Sequence, residues 1–257
     1  MAKRIVSEVV MNMLQTLRAL GPIDLRSVWR DKMLSWMIFL PILGAIILRV
    51  GLPPLAARLH AQYAFDLEPW YPLFLSYFFV VMTPAIFGIM IGFLLLDEKD
   101  DQTLKALQVT PLSLRNYLAY RIAIPVVLTI AMMFILFPLS ALDDISIPAT
   151  SLTAIAAAPI APALALFMAA LAQNKVQGFA LMKLTGVVLI MPIFAFIGTG
   201  SWEVFFMVIP TYWPMKSYLL LSDGQITAAW PYLIAAVVYP AIIIWLFGKR
   251  FNRIMVE

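Results

Sequence analysis

Six runs without a single charged residue divide this chain: 33–48, 69–96, 122–142, 145–174, 184–202 and 224–248. A helix needs about 20 mainly apolar residues to cross the roughly 30 Å hydrocarbon layer of a bilayer, and five of the runs qualify as they stand. The first is short; Arg49 can snorkel outward and let 50–52 extend it. Hydrophobic residues make up 63% of the 257 positions and charged residues only 12%, whereas soluble domains average about 45–50% and about 25%. A soluble domain of this length has nowhere to hide so much apolar surface, so lipid must cover it. The absence of cysteine excludes disulfides and thiolate metal sites. The net charge of +4 does not indicate nucleic acid, because the basic residues sit at the ends of apolar runs rather than on one face.

Six spans put both termini on the same side of the membrane. With that topology, fifteen of the 18 Lys and Arg residues fall on the terminal side, and only Arg49, Arg58 and Lys216 on the other. The positive-inside rule then makes the terminal side cytosolic. Ahead of the first run, "KRIVSEVVMNMLQTLRAL" places Val6, Val9, Val10, Met13, Leu17 and Leu20 at helical spacing opposite Lys3, Arg4 and Arg18. That pattern predicts an amphipathic helix lying on the membrane surface, and it lacks the apolar core and small-residue cleavage site of a signal peptide. Gly21 and Pro22 are expected to end it, and "IDLRSVWRDK" to form a second short helix with Asp24 at its start.

The most polar stretch, "DEKDDQTLKALQVTPLSLRNY" at 97–117, is longer than the 2–8 residues or so that usually join helices. Asp100 or Asp101 suits the N-cap of a short helix, and Leu104, Leu107 and Val109 give it a modest apolar side. Thr110 followed by Pro111 starts another helix that runs into the third span. The stretch therefore reads as a short transverse helix, a sharp corner and a rod; taken alone it also reads as a solvated charge run. The segment "TGSWEVFFMVIPTYWPMKSYLLLSDGQ" before the last span mixes Trp and Tyr with Glu203, Pro210, Pro214 and Lys216. Neither half is long enough to cross. An aromatic belt that fixes depth explains the rings, but two short helices that dip in and return also explain the prolines and charges.

"LLLDEKDDQTLKALQVTPLSLRNYLAYR" resembles the intracellular loop of type-two ABC transporter permeases, in which acid, base, acid, any residue, Gly, Thr and Leu are followed by Thr-Pro and Tyr. Glu98, Lys99, Asp100, Thr103, Leu104, Thr110, Pro111 and Tyr117 fill those places, while Gln102 stands where Gly is usual and Lys105 where an acid is common. The likeness extends along the whole chain, and a quinolone-export branch of short multidrug permeases is among the groups it resembles. The resemblance implies that the short helix is a coupling helix seated on a separate ATPase subunit, with Glu98, Asp100, Thr103, Leu104, Leu107, Thr110 and Pro111 as coupling residues. It further implies a dimer with a second copy or a paralogue, ATP and Mg held by the partner and not by this chain, and a re-entrant outer segment in which Glu203, Tyr212 and Lys216 form a gate. The first, second and fifth spans would line the pathway, with Phe39, Phe87 and Phe194 along it; a buried core aromatic is the other reading of each.

No GxxxxGK[ST] loop, HExxH or GxSxG occurs, and His60, the only histidine, is expected in an exposed outer loop. Asp143 and Asp144 read as a solvated turn. Prolines 84, 125, 138, 159, 162, 192 and 240 mark bends within spans. The expectation is an all-α polytopic protein with one transmembrane domain over 1–257. Interface helices occupy 1–32, six spans 33–248 and a cytosolic tail 249–257, in the inner (plasma) membrane with both termini cytosolic. Its expected role is the permease subunit of an ATP-driven exporter of a hydrophobic or amphipathic drug or lipid, not itself an enzyme. The alternatives are a membrane enzyme acting on lipids and an ATP-independent channel or scaffold.

Overall fold

A computed structural model describes residues 18, 20–101, 114–197 and 203–256, with 114–115 and 252–256 described by backbone alone. The proposed surface helix before residue 18 lies outside them. Among the described residues every regular element is helical. Six helices among these residues are long and apolar enough to cross a membrane: Lys32–Tyr63, Glu68–Asp100, Asn116–Ser140, Ile147–Leu171, Lys175–Ile197 and Ile226–Phe251. The chain is a multi-pass membrane protein. Its two ends are here called the terminal face, where residues 24, 31, 97–100, 121 and 175 meet, and the far face.

The second span is the centre of the bundle. Of its most apolar stretch 94% is buried, against 17% for both the fifth and sixth spans. The reason is steric. Gly88 and Gly92 present bare backbone to the fourth span, where a Cβ on Gly88 would overlap the Ala161 carbonyl oxygen and one on Gly92 would lie 3.0 Å from the Met168 sulfur. Small residues spaced by four let two helices approach this closely, and dispersion at the contact replaces the hydrophobic drive that lipid does not supply. Toward the far face, Phe79 meets Phe137 edge-on at 5.3 Å and Phe137 meets Tyr218 at 5.4 Å, so the core continues into the third span and the segment before the sixth.

Prolines shape the spans at three of the predicted bends. Pro84 offers no N–H to the carbonyl four residues back; the helix widens into a π turn over Ser76–Val81, and the Thr83 hydroxyl donates to the Phe78 carbonyl at 3.4 Å. Pro159 separates Ile147–Ala157 from Ile160–Leu171, and Pro192 sits in a 3₁₀ turn, Met191–Ile193. Helices run on through Pro125, Pro138 and Pro240.

Several expectations are corrected. The first span does not stop near residue 52. It continues through Pro53 and Pro54 to Tyr63, held against the bundle by buried Leu52 and Ala56, so Arg58 and His60 are helical rather than in a loop. Ala64, at φ 50°, closes it with bonds to the Leu59 and His60 carbonyls. Residues 20–30 form a helix that includes Gly21 and Pro22, so Asp24 is inside the helix and not its cap. The fifth span starts at Lys175, nine residues earlier than its uncharged run, because Asn174 caps it by accepting from the Gln177 N–H at 3.0 Å. Asp143 is not simply solvated; it accepts the Tyr218 hydroxyl at 2.5 Å. The last helix extends to Val256, so the expected tail is mostly a continuation of the sixth span.

Candidate functional site

Three constellations carry the unusual chemistry. The first, on the terminal face, is built around Arg121, a guanidinium only 2% exposed. The third helix starts at Leu114, which puts Tyr117 and Arg121 one turn apart on the same side. Opposite them come Glu98, near the end of the second span, and Asp24, from the 20–30 helix. Arg121 donates to both Asp24 oxygens, at 2.8 and 3.1 Å, and forms a short ion pair with Glu98. The Tyr117 hydroxyl donates to Glu98 and the Tyr120 hydroxyl to Asp24 at 2.7 Å. Both rings also lie close to the guanidinium carbon, at 5.3 and 5.5 Å. A planar fork with five donors satisfies two carboxylates at once, a task for which a lysine is poorly shaped.

A second node ties in the remaining helices. Lys175 reaches Asp31 at 2.8 Å and Asp97 at 3.0 Å, and its backbone N–H donates to Asp100 at 3.4 Å. Asp31 also caps the first span, accepting from Met33 and Leu34, and the hydrogen bond from Lys175 holds its carboxyl below the usual carboxylate range. Lys99 donates to the Ala172 carbonyl at 3.0 Å, satisfying an end group of the fourth span. Asp97, Glu98, Lys99 and Asp100 each have a partner within the bundle. Glu98 and Asp100, expected as coupling residues, therefore anchor the start of the loop; Thr103, Leu104, Leu107, Thr110 and Pro111 lie outside the described residues.

On the far face the structure brings together the three residues expected there. Lys216 pairs with Glu203 at 2.9 Å, and the buried Tyr212 donates its hydroxyl to the same carboxylate. Burial pushes the Glu203 carboxyl up, but the bonds from Tyr212 and Lys216 outweigh it and leave the group below its ordinary range. Tyr212 stacks on Phe196 with centroids 5.6 Å apart, and Lys216 sits 5.7 Å from the Phe196 ring and 6.0 Å from that of Tyr232. The helices involved, Glu203–Phe206 and Tyr212–Ser222, are too short to cross. The turn between them reaches the sixth span, where Tyr239 donates to the Val208 carbonyl at 2.6 Å.

The third constellation is an aromatic cavity of about 580 Å³ between the second and fifth spans, walled by Phe65, Trp70, Phe74, Tyr77, Phe78 and Ile193 among others. The three phenylalanines singled out from sequence do not meet. Phe39 and Phe194 are exposed, on the first and fifth spans, and Phe87 is fully buried in the core.

With this geometry in place, residues 24–248 match the family described as Fluoroquinolones export permease protein Rv2686c-like. This chain is a member of that family. It is 29% identical over 240 residues to the fluoroquinolones export permease proteins MT2760 and Rv2686c of two Mycobacterium tuberculosis strains, covering 93% of this chain and 94% of each relative. No solved structure matches the chain. As an export permease it belongs among transport proteins and not enzymes, in keeping with the type-two ABC permease resemblance. The matched region of this permease begins at Asp24, so it takes in every member of the Arg121 cluster. In the sequence Arg121 and Lys175 read only as topology markers. The signal available was a Tyr-x-x-x-Arg pair on one helix face; its acidic partners are 23 and 97 residues away.

Proposed function

We propose that this permease is the membrane-spanning subunit of an ATP-driven exporter, working as a dimer in the inner membrane with its termini and the 102–113 loop in the cytosol. A separate ATPase subunit, holding ATP and Mg, docks on that loop through Leu104 and Leu107. The observation that carries this reading is the Arg121 cluster. It binds the last turn of the second span, the first turns of the third and the leading helix into one block at the base of the loop. A displacement of the loop is then delivered to two spans together, because a buried, multiply bonded guanidinium has no low-cost way to let either partner go.

The cargo is an aromatic amphiphile. Both relatives are named for fluoroquinolone export, and two features of this chain suit such a molecule. The cavity between the second and fifth spans supplies aromatic walls. The Glu203–Lys216 pair supplies both signs of charge next to the Phe196 and Tyr232 rings, as a zwitterionic aromatic drug requires on its way out. The short helices bearing that pair serve as a re-entrant gate; the bond from Tyr239, some 20 Å along the sixth helix from Ile226, supports a turn deep in the bundle.

The test is purification from native membranes under mild conditions, followed by assay of fluoroquinolone efflux and ATPase turnover for wild type and Leu104→Asp. An ATPase should accompany the wild type, and the variant should lose both the association and the efflux while melting like wild type. Efflux that survives with the ATPase still bound would remove the coupling assignment.

A further inference from the structure

The fifth span has a cavity on each side. Opposite the aromatic one lies a second of about 320 Å³, bounded by the fourth, fifth and sixth spans and by the turn at Ile209–Thr211. Its walls are hydrocarbon: Ala163, Phe167, Leu184, Val188, Ile243 and Phe247 are representative. Among the described residues no charged side chain lines it, and its polar side chains are Thr185, Thr211 and Tyr239. The Tyr239 hydroxyl is already committed to the Val208 carbonyl.

Thr211 is the informative residue. It is the N-cap of Tyr212–Ser222, where a threonine hydroxyl ordinarily accepts from the N–H groups of the first turn, yet here it makes no such bond. Its side chain is fully buried, and its hydroxyl oxygen has no hydrogen-bond partner among the described residues. Leaving a buried hydroxyl unpaired is costly, and such groups in native proteins tend to mark a bound molecule or a functional role. An apolar cavity beside a fully buried, unspent hydroxyl combines the two elements of a binding site: area for affinity and a polar contact for orientation.

We infer that this cavity binds a neutral, drug-sized molecule with a largely hydrocarbon body and one hydroxyl or carbonyl group, which bonds to the Thr211 hydroxyl once a turn about its Cα–Cβ bond brings the buried oxygen to the cavity. The volume falls at the lower end for drug-sized ligands. The lack of a counter-charge excludes carboxylates, ammonium groups and zwitterions, which would be stripped of water without compensation. The site is thus complementary in chemistry to the Glu203–Lys216 cluster and separate from it. It stands whether or not an ATPase partner drives transport.

The test uses the purified full-length protein in lipid nanodiscs and reads tryptophan-to-pyrene energy transfer with three probes of one ring system: 1-pyrenemethanol, pyrene and 1-pyrenecarboxylate. Pyrenemethanol should bind saturably above the background of protein-free discs, with pyrene about tenfold weaker and the carboxylate showing no saturable component. Thr211→Val keeps the shape and removes the hydroxyl; it should bring pyrenemethanol down to the affinity of pyrene, leave pyrene itself unchanged and not lower the melting temperature. Ala163→Phe should abolish binding of both, and Val188→Phe, at the more open side, gives the same readout if the first variant does not fold. Equal binding of the carboxylate, unchanged pyrenemethanol affinity in Thr211→Val, or binding that survives the filling variants would each overturn the assignment.

Discussion

Replacing Arg121 with methionine keeps an unbranched apolar stem but removes the guanidinium, leaving Asp24 and Glu98 to face each other across the gap. The guanidinium is almost wholly buried and the two carboxylates are 15% and 19% exposed, so solvent screens the loss only weakly. Removing one partner of a buried ion pair typically costs about 3–5 kcal/mol, most of it the penalty of charge left unpaired rather than the net worth of the pair. At about 2–4 °C per kcal/mol for a chain of this size, the melting temperature should fall by roughly 6–20 °C. That loss must be separable from a packing defect. The triple variant Asp24→Asn, Glu98→Gln, Arg121→Met removes all three charges together, and it should recover more than half of the deficit because desolvation is no longer uncompensated. Thermal melting of the three proteins in one detergent, followed by intrinsic fluorescence, makes the comparison. A single variant that melts within about 2 °C of wild type, or a triple variant no better than the single, would show that the cluster is not an electrostatic clamp.

Gly88→Ala should lower stability by about 1–3 kcal/mol, since the new methyl meets the Ala161 backbone. Gly51→Ala, where nothing lies within 4 Å, should raise it by about 0.5–1 kcal/mol, and melting curves of the pair report both signs. Lys175→Met should cost only about 1 kcal/mol, its cluster being partly exposed, and the deficit should shrink in 1 M salt; amide exchange over 97–101 and 175–178 measures it. Glu203 titrates below its ordinary range, so its stabilising contribution is complete above about pH 5 and disappears as pH falls through the lowered value. The tryptophan emission of wild type, with Trp213 beside the cluster, should therefore change in acid, and that of Glu203→Gln should not.

Hydropathy made the spans legible because crossing a bilayer is a one-dimensional requirement: enough apolar residues in a row. The bends at Pro84, Pro159 and Pro192 were legible for the same local reason, a missing N–H. Reading each uncharged run as a span failed where a charge lies inside a helix. Arg49 interrupts the first and Lys183 the fifth, yet the helix continues, since an exposed lysine or a guanidinium bonded to the Leu139 carbonyl at 3.0 Å does not oblige the backbone to stop. The far-face trio was recoverable because Glu203, Tyr212 and Lys216 are close in sequence and too polar for their surroundings. The Arg121 cluster was not, because Asp24 lies far upstream and a lone aspartate ahead of a helix has a more common use as a cap. Gly88-x-x-x-Gly92 was visible as a pattern, but only the alanines of a span some 70 residues later show which face it serves.

These features together limit how the bundle is able to deform. Between Gly88 and Met168 the second and fourth spans approach too closely to slide past one another, so in their terminal-face halves they behave as one body, with the third span fastened to it by Arg121. The departures from regular α-helix within that pair, the 3₁₀ turn at Glu68–Trp70, the π turn at Ser76–Val81 and the break at Pro159, all lie on the far-face side of the contact. Bending is least costly where main-chain hydrogen bonds are already missing or stretched. Under the proposed coupling, a load applied at residue 101 would pass through the tight contact and be released beyond it, toward the end of the bundle where Tyr218, Tyr212 and the Glu203–Lys216 pair are held. The fifth span, with little of its surface buried and its own weak point at Pro192, lies alongside that release. The stiff half and the yielding half follow from the same two facts, glycines at 88 and 92 and prolines at 84 and 159.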